Sequence, residues 1–391
     1  MVPTHGRQYY RLADSDLSPT DGLSASWPFR PAELDPWYAE VERYVGLAGG
    51  RDNLPWLPDS ELRLLLEPTP AEAALRQVIS ARWPGARAVL GRSGKPIDSL
   101  ERAAETNRLS IRTGAIARKI EVDASGRARG VVWIDHQSGK EERAQAPLVF
   151  LCASALESTR LLLLSRSTRS PEGLGASSGA LGRYLMDHIF VQVLGKGPPL
   201  SPAQAHAERR SLYLPRFDAR ELPSPEAGRG FGVQVSQAPA DEEWSSFSAA
   251  SFGEMLPRAE NRVTLDPKLR DAWGIPALRI DCRHGSEDML LARKQVSALR
   301  ELAAAFGVEL TQADAEPRPP GTAIHECGTA RMGNDPDSSV LDPHNECWEA
   351  RGLYVTDAAC FPTQGTQNPM LTILAITARA CDHAVRTART N

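Results

Sequence analysis

Apolar positions along the chain change period several times, and each change marks a predicted element. In ELDPWYAEVERYVGL the residues Trp37, Tyr38, Val41, Tyr44 and Val45 recur at helical spacing, with Asp35–Pro36 as a start. The rest of residues 1–100 is rich in Trp, Pro and charge and shows no strand-rich core. Residues 108–152 shift to short extended runs, RLSIRTGAIARKIEVD, GRARGVVWIDH and APLVFLCAS, parted by the turn sequences DASGRA and HQSGKE. This pattern predicts a β-meander. The run LVFLCA reads as a strand buried on both faces. It feeds ALESTRLLLLS, a predicted helix with Ser154 as N-cap and Leu161, Leu162 and Leu164 to bury.

Residues 166–182 are a polar, Gly/Ser-rich loop. Over 183–320 strand-like runs (YLMDHIFVQVLG, GFGVQVSQ, NRVTLD, ALRIDC) alternate with the helix-like run DMLLARKQVSALRELAAAFG. That predicts an α+β arrangement with a mainly antiparallel sheet. RGLYVTDAACFP (351–362) is a further short buried strand. NPMLTILAITARACDHAVRTA (368–388) is a long closing helix, apolar at 371, 373, 374, 376, 380, 381 and 385. No internal repeat stands out.

Length and charge narrow the function classes. A chain of 391 residues can hold two or three domains, or one large domain with interleaved lobes. Its 45 basic and 49 acidic residues leave a formal charge of −4, which gives no field for nucleic acid or an anionic membrane. Six cysteines, at 152, 282, 327, 347, 360 and 381, form no CxxC pair and no small disulfide framework, so reduced thiols are expected. MVPTHGRQYYRLADSD has no apolar core of a signal peptide, and LVFLCA and LLLL fall far short of a membrane span. The default expectation is cytoplasmic, with localisation open to an export signal upstream.

Two stretches carry candidate chemistry. HECGTARMG (325–333) sets His325 before two glycines, where it could be a base, a metal ligand or a turn residue. His325 and Cys327 with His344 and Cys347 give HxC and HxxC, which miss the usual zinc spacings, so no metal is assigned. Cys347 and Cys360 read as small buried apolar residues. NPMLTI (368–373) opens the closing helix, with Asn368 as N-cap and Pro369 in the first turn. Amides at such a helix start can face an electron-rich group, and the Asn side chain could point to the same place. The plainer reading is a capped helix. No GxGxxG joins a strand to a helix. GLGASSG (173–179), with its GxSxG match, follows STRSPE and reads as a flexible loop.

Three stretches together, VFLCASALESTRLLLLS (149–165), LGRYLMDH (181–188) and the run 325–385, resemble the glucose–methanol–choline (GMC) oxidoreductases, FAD enzymes that oxidise alcohols. The most specific signs are His-x-x-Gly-Thr-x-Arg-Met-Gly, then Leu-Tyr-Val-x-Asp, Phe-Pro and Asn-Pro-x-Leu-Thr-Ile, in family order. The resemblance is nearest to bacterial carbohydrate and polyol dehydrogenases. It implies FAD as cofactor and conversion of CH–OH to C=O in a sugar, glycoside or polyol. His325 would take the hydroxyl proton while hydride leaves for flavin N5, and Asn368 would hydrogen-bond the substrate oxygen. Histidine suits a base working near neutral pH. Asp357 and Ala358 would give backbone contacts near the isoalloxazine or ribityl chain. Asn368, Pro369 and Met370 would lie near the pyrimidine edge, and Ala117 against adenine. An electron-acceptor protein or quinone would complete the cycle.

The implied fold is mixed α/β and α+β. An incomplete FAD-binding, Rossmann-like lobe (101–182 and 340–391) joins a substrate lobe (1–100 and 183–339) whose mainly antiparallel sheet is flanked by helices, with His325 near the boundary. The family's N-terminal GxGxxG, ribose-binding acid and Gly-rich pyrophosphate segment have no counterpart here. The expectation is therefore a C-terminal portion whose FAD-binding segment belongs to a longer product or is supplied in trans. The alternative is a non-catalytic or split-enzyme subunit of the same fold that does not hold FAD by itself.

Overall fold

Alternation of apolar and polar residues sets one large sheet, and continuous apolar runs set a second, smaller one. The computed structural model describes residues 8–19, 25–95, 98–200, 211–217, 230–241 and 243–390. In chain order the elements are α1 (Asp14–Leu17), α2 (Asp35–Val45), β1 (Ala48–Gly49), β2 (Leu64–Leu65), α3 (Pro70–Arg82), β3 (Val89–Leu90) and α4 (Ser99–Glu105). There follow β4 (Ala115–Val122), β5 (Ala128–Asp135), β6 (Glu141–Gln145), β7 (Val149–Leu151) and α5 (Ala155–Leu164). The next stretch holds β8 (Ile189–Gly197), β9 (Ser211–Leu214), β10 (Phe231–Pro239), β11 (Ser245–Gly253), β12 (Arg262–Arg270) and β13 (Pro276–Asp281). Helix α6 (Ser286–Ala305), β14 (Glu309–Ala313), β15 (Glu346–Cys347), β16 (Ala350–Val355) and α7 (Met370–Thr390) complete the chain.

The large sheet has the order β14-β8-β11-β10-β9-β3, and each neighbouring pair is antiparallel. Along β8 the side chains of Ile189, Val191 and Val193 are buried while Phe190, Gln192 and Leu194 are half-buried, the period of two that a strand imposes. Helix α6 lies on this sheet. Its buried residues Leu291, Ala292, Gln295, Ala298, Leu299 and Leu302 recur every three or four positions, as one helical face requires. Gln295, polar on that face, donates from Nε2 to Ile189 O and Ser251 Oγ.

The smaller sheet supplies the other half. β7 and β16 pair in parallel, Val149 opposite Leu353 and Leu151 opposite Val355. Val149 and Leu151 are buried, and half-buried Phe150 stacks on Tyr354 with ring centroids 4.9 Å apart. Each strand runs on toward a helix, β7 directly into α5 and β16 through residues 356–369 into α7. Their carboxyl ends therefore lie side by side, the end at which parallel sheets receive ligands. The expected meander is present as β4-β5-β6, with a bulge that leaves Arg118 unpaired between Ala117 and Lys119.

Two capping expectations are corrected. Ser154 stands at the head of α5 but makes no side-chain cap bond; it sits at φ 73, ψ 162. Asn368 does not cap α7, because the first helical bond runs from Ile373 N to Pro369 O and the Asn side chain is engaged elsewhere. Among the described residues three helices beyond the expected ones appear, α1, α3 and α4. The first hundred residues touch both halves: β3 pairs with β9, and α2 packs on α7. Among the described residues no helix is long and apolar enough to cross a membrane.

Candidate active site

The site begins with a crossing of two loops. Met186 and Cys327 exchange both backbone hydrogen bonds at 3.0 Å, which lays the 184–188 and 325–329 segments side by side. Gly328 permits this approach: at φ 96 a Cβ would lie 2.3 Å from Tyr184 O. Thr329 then ties the crossing to α5, accepting from Thr159 Oγ1 at 2.7 Å and donating to Ala155 O at 3.0 Å.

Asp187 fixes the backbone around His325. Its buried carboxylate accepts from the amides of His188 (2.8 Å), Gly321 (2.7 Å), Ala323 (3.1 Å) and His325 (3.1 Å). Burial pushes this carboxyl up to about 6 against the pull of those amides. Between two of the held amides sits Ile324, a β-branched residue at φ 56 and 73% exposed. Such a conformation is costly for a β-branched residue and persists where its surroundings over-determine it.

The His325 ring is held at both nitrogens. Nδ1 lies 2.9 Å from Nδ1 of His188, and Nε2 lies 3.3 Å from Asn368 Nδ2. Its carbonyl accepts from Gln364 Nε2 at 2.7 Å. Phe252 closes one side, with ring centroids 5.7 Å from His325 and 5.8 Å from His188. Burial lowers the His325 pKa to about 4, so the imidazole is neutral near pH 7 and has a lone pair to offer. Asn368 is oriented from behind, its Oδ1 accepting from Gln234 Nε2 at 2.7 Å, which turns its NH2 toward His325. The structure thus brings His325 and Asn368 together across 43 residues of sequence.

Of the other predicted positions, Asp357 and Ala358 follow the end of β16, and Pro369 and Met370 stand at the start of α7. Cys152, Ala153 and Ser154, at the end of β7, are exposed. Asp357 is buried, and its carboxylate is occupied by Ser158 Oγ at 2.5 Å and Ala359 N at 3.0 Å. Ala358 follows it. Pro369 is buried and Met370 half-buried at the start of α7, whose first-turn amides have no intrahelical acceptor. Ala117 lies apart from these, exposed at the β4 bulge.

Sequence reading missed Asp187, His188, Gln234 and Gln364. One signal was available: Gln234 is the lone polar residue inside the buried run Phe231–Val235, and a buried polar residue in a strand asks for a partner. Among the described residues no three His, Cys, Asp or Glu side chains converge as a metal set.

This geometry can be set against known proteins. Two family models, both described as GMC oxidoreductase, match residues 88–190 and 257–377. The 2-methyl-1,2-propanediol dehydrogenase of Mycolicibacterium austroafricanum is 28% identical, with 96% of this chain and 78% of that protein covered. The 6'''-hydroxyparomomycin C oxidase of Streptomyces lividus is 27% identical, with 98% and 76% covered. In fold, the chain matches a solved structure of the formate oxidase of Aspergillus oryzae RIB40, concerned with its FAD modification, at a TM-score of 0.67 and 15% identity over 98% of this chain and 82% of that one. The matched models span both the meander–α5 half and the His325–Asn368 half, and the chain belongs to the GMC oxidoreductase family.

Proposed function

We propose that the protein is a FAD-dependent oxidoreductase acting on the CH–OH group of a small polyol, sugar or glycoside, with His325 as the base and Asn368 as the group that holds the substrate oxygen. The observation that carries this reading is the facing of His325 Nε2 and Asn368 Nδ2 at 3.3 Å. The names of the two relatives, a 2-methyl-1,2-propanediol dehydrogenase and a 6'''-hydroxyparomomycin C oxidase, support a hydroxyl-bearing substrate.

A neutral alcohol gives up hydride poorly, and an alkoxide-like one readily. His325 Nε2 would take the hydroxyl proton, and Asn368 Nδ2–H would hold the oxygen in line. The hydride goes to the bound flavin, which is the chemistry the cofactor supplies. Asp357, Ala358, Asn368, Pro369 and Met370 would hold the ring system, Ala117 the adenine. Their donor set fits the group: free amides at the α7 start for an electron-rich ring edge, and an exposed turn at the end of β7.

The test is reconstitution with FAD followed by desalting. The expected result is protein-retained flavin absorption and turnover of polyols or glycosides. His325→Ala is expected to keep the flavin and lose about 10²–10⁴ in turnover, the share of a positioned general base. Full activity in His325→Ala would refute the assignment. A colourless protein would favour a subunit that does not hold FAD alone.

A further inference from the structure

We infer that His188 is a positioning residue that fixes His325 as the Nδ1–H tautomer, leaving Nε2 as the basic atom. The inference rests on the reading of His325 as the base, but its physical core does not need flavin or substrate. His188 is buried, 1% exposed, and its two nitrogens have different partners. Nε2 lies 3.1 Å from the carbonyl oxygen of Gly365. A carbonyl only accepts, so His188 Nε2 carries the hydrogen. A neutral imidazole has one N–H, so His188 Nδ1 is a lone pair. Two nitrogens face it, His325 Nδ1 at 2.9 Å and Gln364 Nε2 at 3.3 Å, and a lone pair on His325 Nδ1 at that distance would repel it. His325 therefore donates from Nδ1, and its Nε2 faces Asn368 unprotonated.

The neutrality of His188 has a structural source. It is enclosed, it faces another imidazole, and the carboxylate of its chain neighbour Asp187 is spent on four amides. The Gly365 carbonyl that selects the tautomer is itself held, because Glu254 Oε1 accepts from the amides of Gln364 (3.3 Å) and Gly365 (3.0 Å). When the substrate O–H bond breaks and Nε2–H forms, the charge on His325 is met at Nδ1 by the lone pair of His188. The second imidazole plays the orienting part that a carboxylate plays in a nucleophile–His–Asp triad, without adding charge. Asn368 Nδ2 also favours a bare Nε2, but across a longer contact of 3.3 Å.

The test is NMR of the full chain, ¹⁵N-labelled at its eight histidines, without added cofactor or alcohol. The expected result is His325 as a neutral Nδ1–H tautomer, with a coupling through the hydrogen bond between the two Nδ1 nuclei. His188→Leu should lose the coupling and shift His325 toward Nε2–H. His188→Asn, whose Oδ1 stands near the place of Nδ1, should restore Nδ1–H. An Nε2–H tautomer in the wild-type chain would overturn the inference without any variant. So would an unchanged tautomer in a folded His188→Leu, which would assign the selection to Asn368. A chain that takes up no flavin or oxidises no alcohol would count against the proposed function and leave this result standing. In the flavin-loaded enzyme His188→Leu should lower kcat by about 10²–10⁴ at little change in KM.

Discussion

His325 is neutral because it is enclosed, and enclosure gives it a pH signature. Its pKa is lowered to about 4, from an ordinary value near 6.5. Acidifying from neutral pH should therefore leave kcat/KM high well below pH 6.5, with the acid limb approaching 4. A limb centred at 6.5 or above would contradict a buried base. Stability should move in the same window. Between the two values the unfolded chain binds a proton at this site and the folded chain does not, so stability is fully present above 6.5. It falls as pH drops toward 4, at up to about 1.4 kcal/mol per pH unit for one site. His188, also lowered by burial, adds in the same direction. Denaturation midpoints between pH 7 and 4.5 would show the slope, which should flatten in His325→Phe. At this scale the sequence told part of the answer. His325 and Asn368 stand in recognisable local runs, whereas His188 gains its role only from a partner 137 residues away, a relation no local pattern encodes.

Elements were legible where one face is buried and the period is sustained. Helices α2, α6 and α7 and the β4–β6 meander stand where the apolar pattern sets them. Even there the pattern overstates burial: Tyr44, Cys381 and Val385 are exposed. Helix α3 escaped because it buries little, Glu72 and Ile79 only, although Thr69 and Glu72 form a capping box over Pro70 that announces a helix by its end rather than its face. The turn from β7 to α5 shows the opposite case, a residue that suits the local preference and not the backbone. Ser154 reads as an N-cap but occupies φ 73, ψ 162, a region almost reserved for glycine, at a cost of about 1–3 kcal/mol. Ser154→Gly should therefore raise stability by roughly 1 kcal/mol, the gain being trimmed by the greater freedom of glycine in the unfolded chain. A urea midpoint that rises at constant slope would confirm it; a drop would mean that the Ser154 side chain has a stabilising partner.

At the scale of the whole molecule, the early and late parts of the chain are packed into each other. Trp27 is buried against Phe29 and Phe361 and donates from its indole to Thr363 Oγ1 at 2.7 Å. The Tyr38 hydroxyl meets Thr372 Oγ1 at 2.8 Å, and Arg379 lies over the Phe29 ring. Trp27→Ala should cost about 3–5 kcal/mol, the usual loss for a large buried aromatic. Because Phe361 and Thr363 lie between β16 and Gln364, which donates to the His325 carbonyl, the loss should reach His325 as well. Intrinsic fluorescence and far-UV circular dichroism are expected to report the same lowered midpoint; two separated transitions would show that the packing does not couple the halves.

That same packing sets an order of events when the chain is made. Tyr38 and Thr372 are separated by 334 residues, so at about 5–20 residues per second the tyrosine leaves the ribosome roughly 20–70 s before its partner exists. Through that interval the apolar face of α2, with Tyr38, Val41 and Val45, has no α7 to lie against. The large sheet and the meander can close meanwhile, and the arrival of α7 both covers that face and sets Asn368 opposite His325, so that the helix that shelters α2 is also the one that brings those two side chains together.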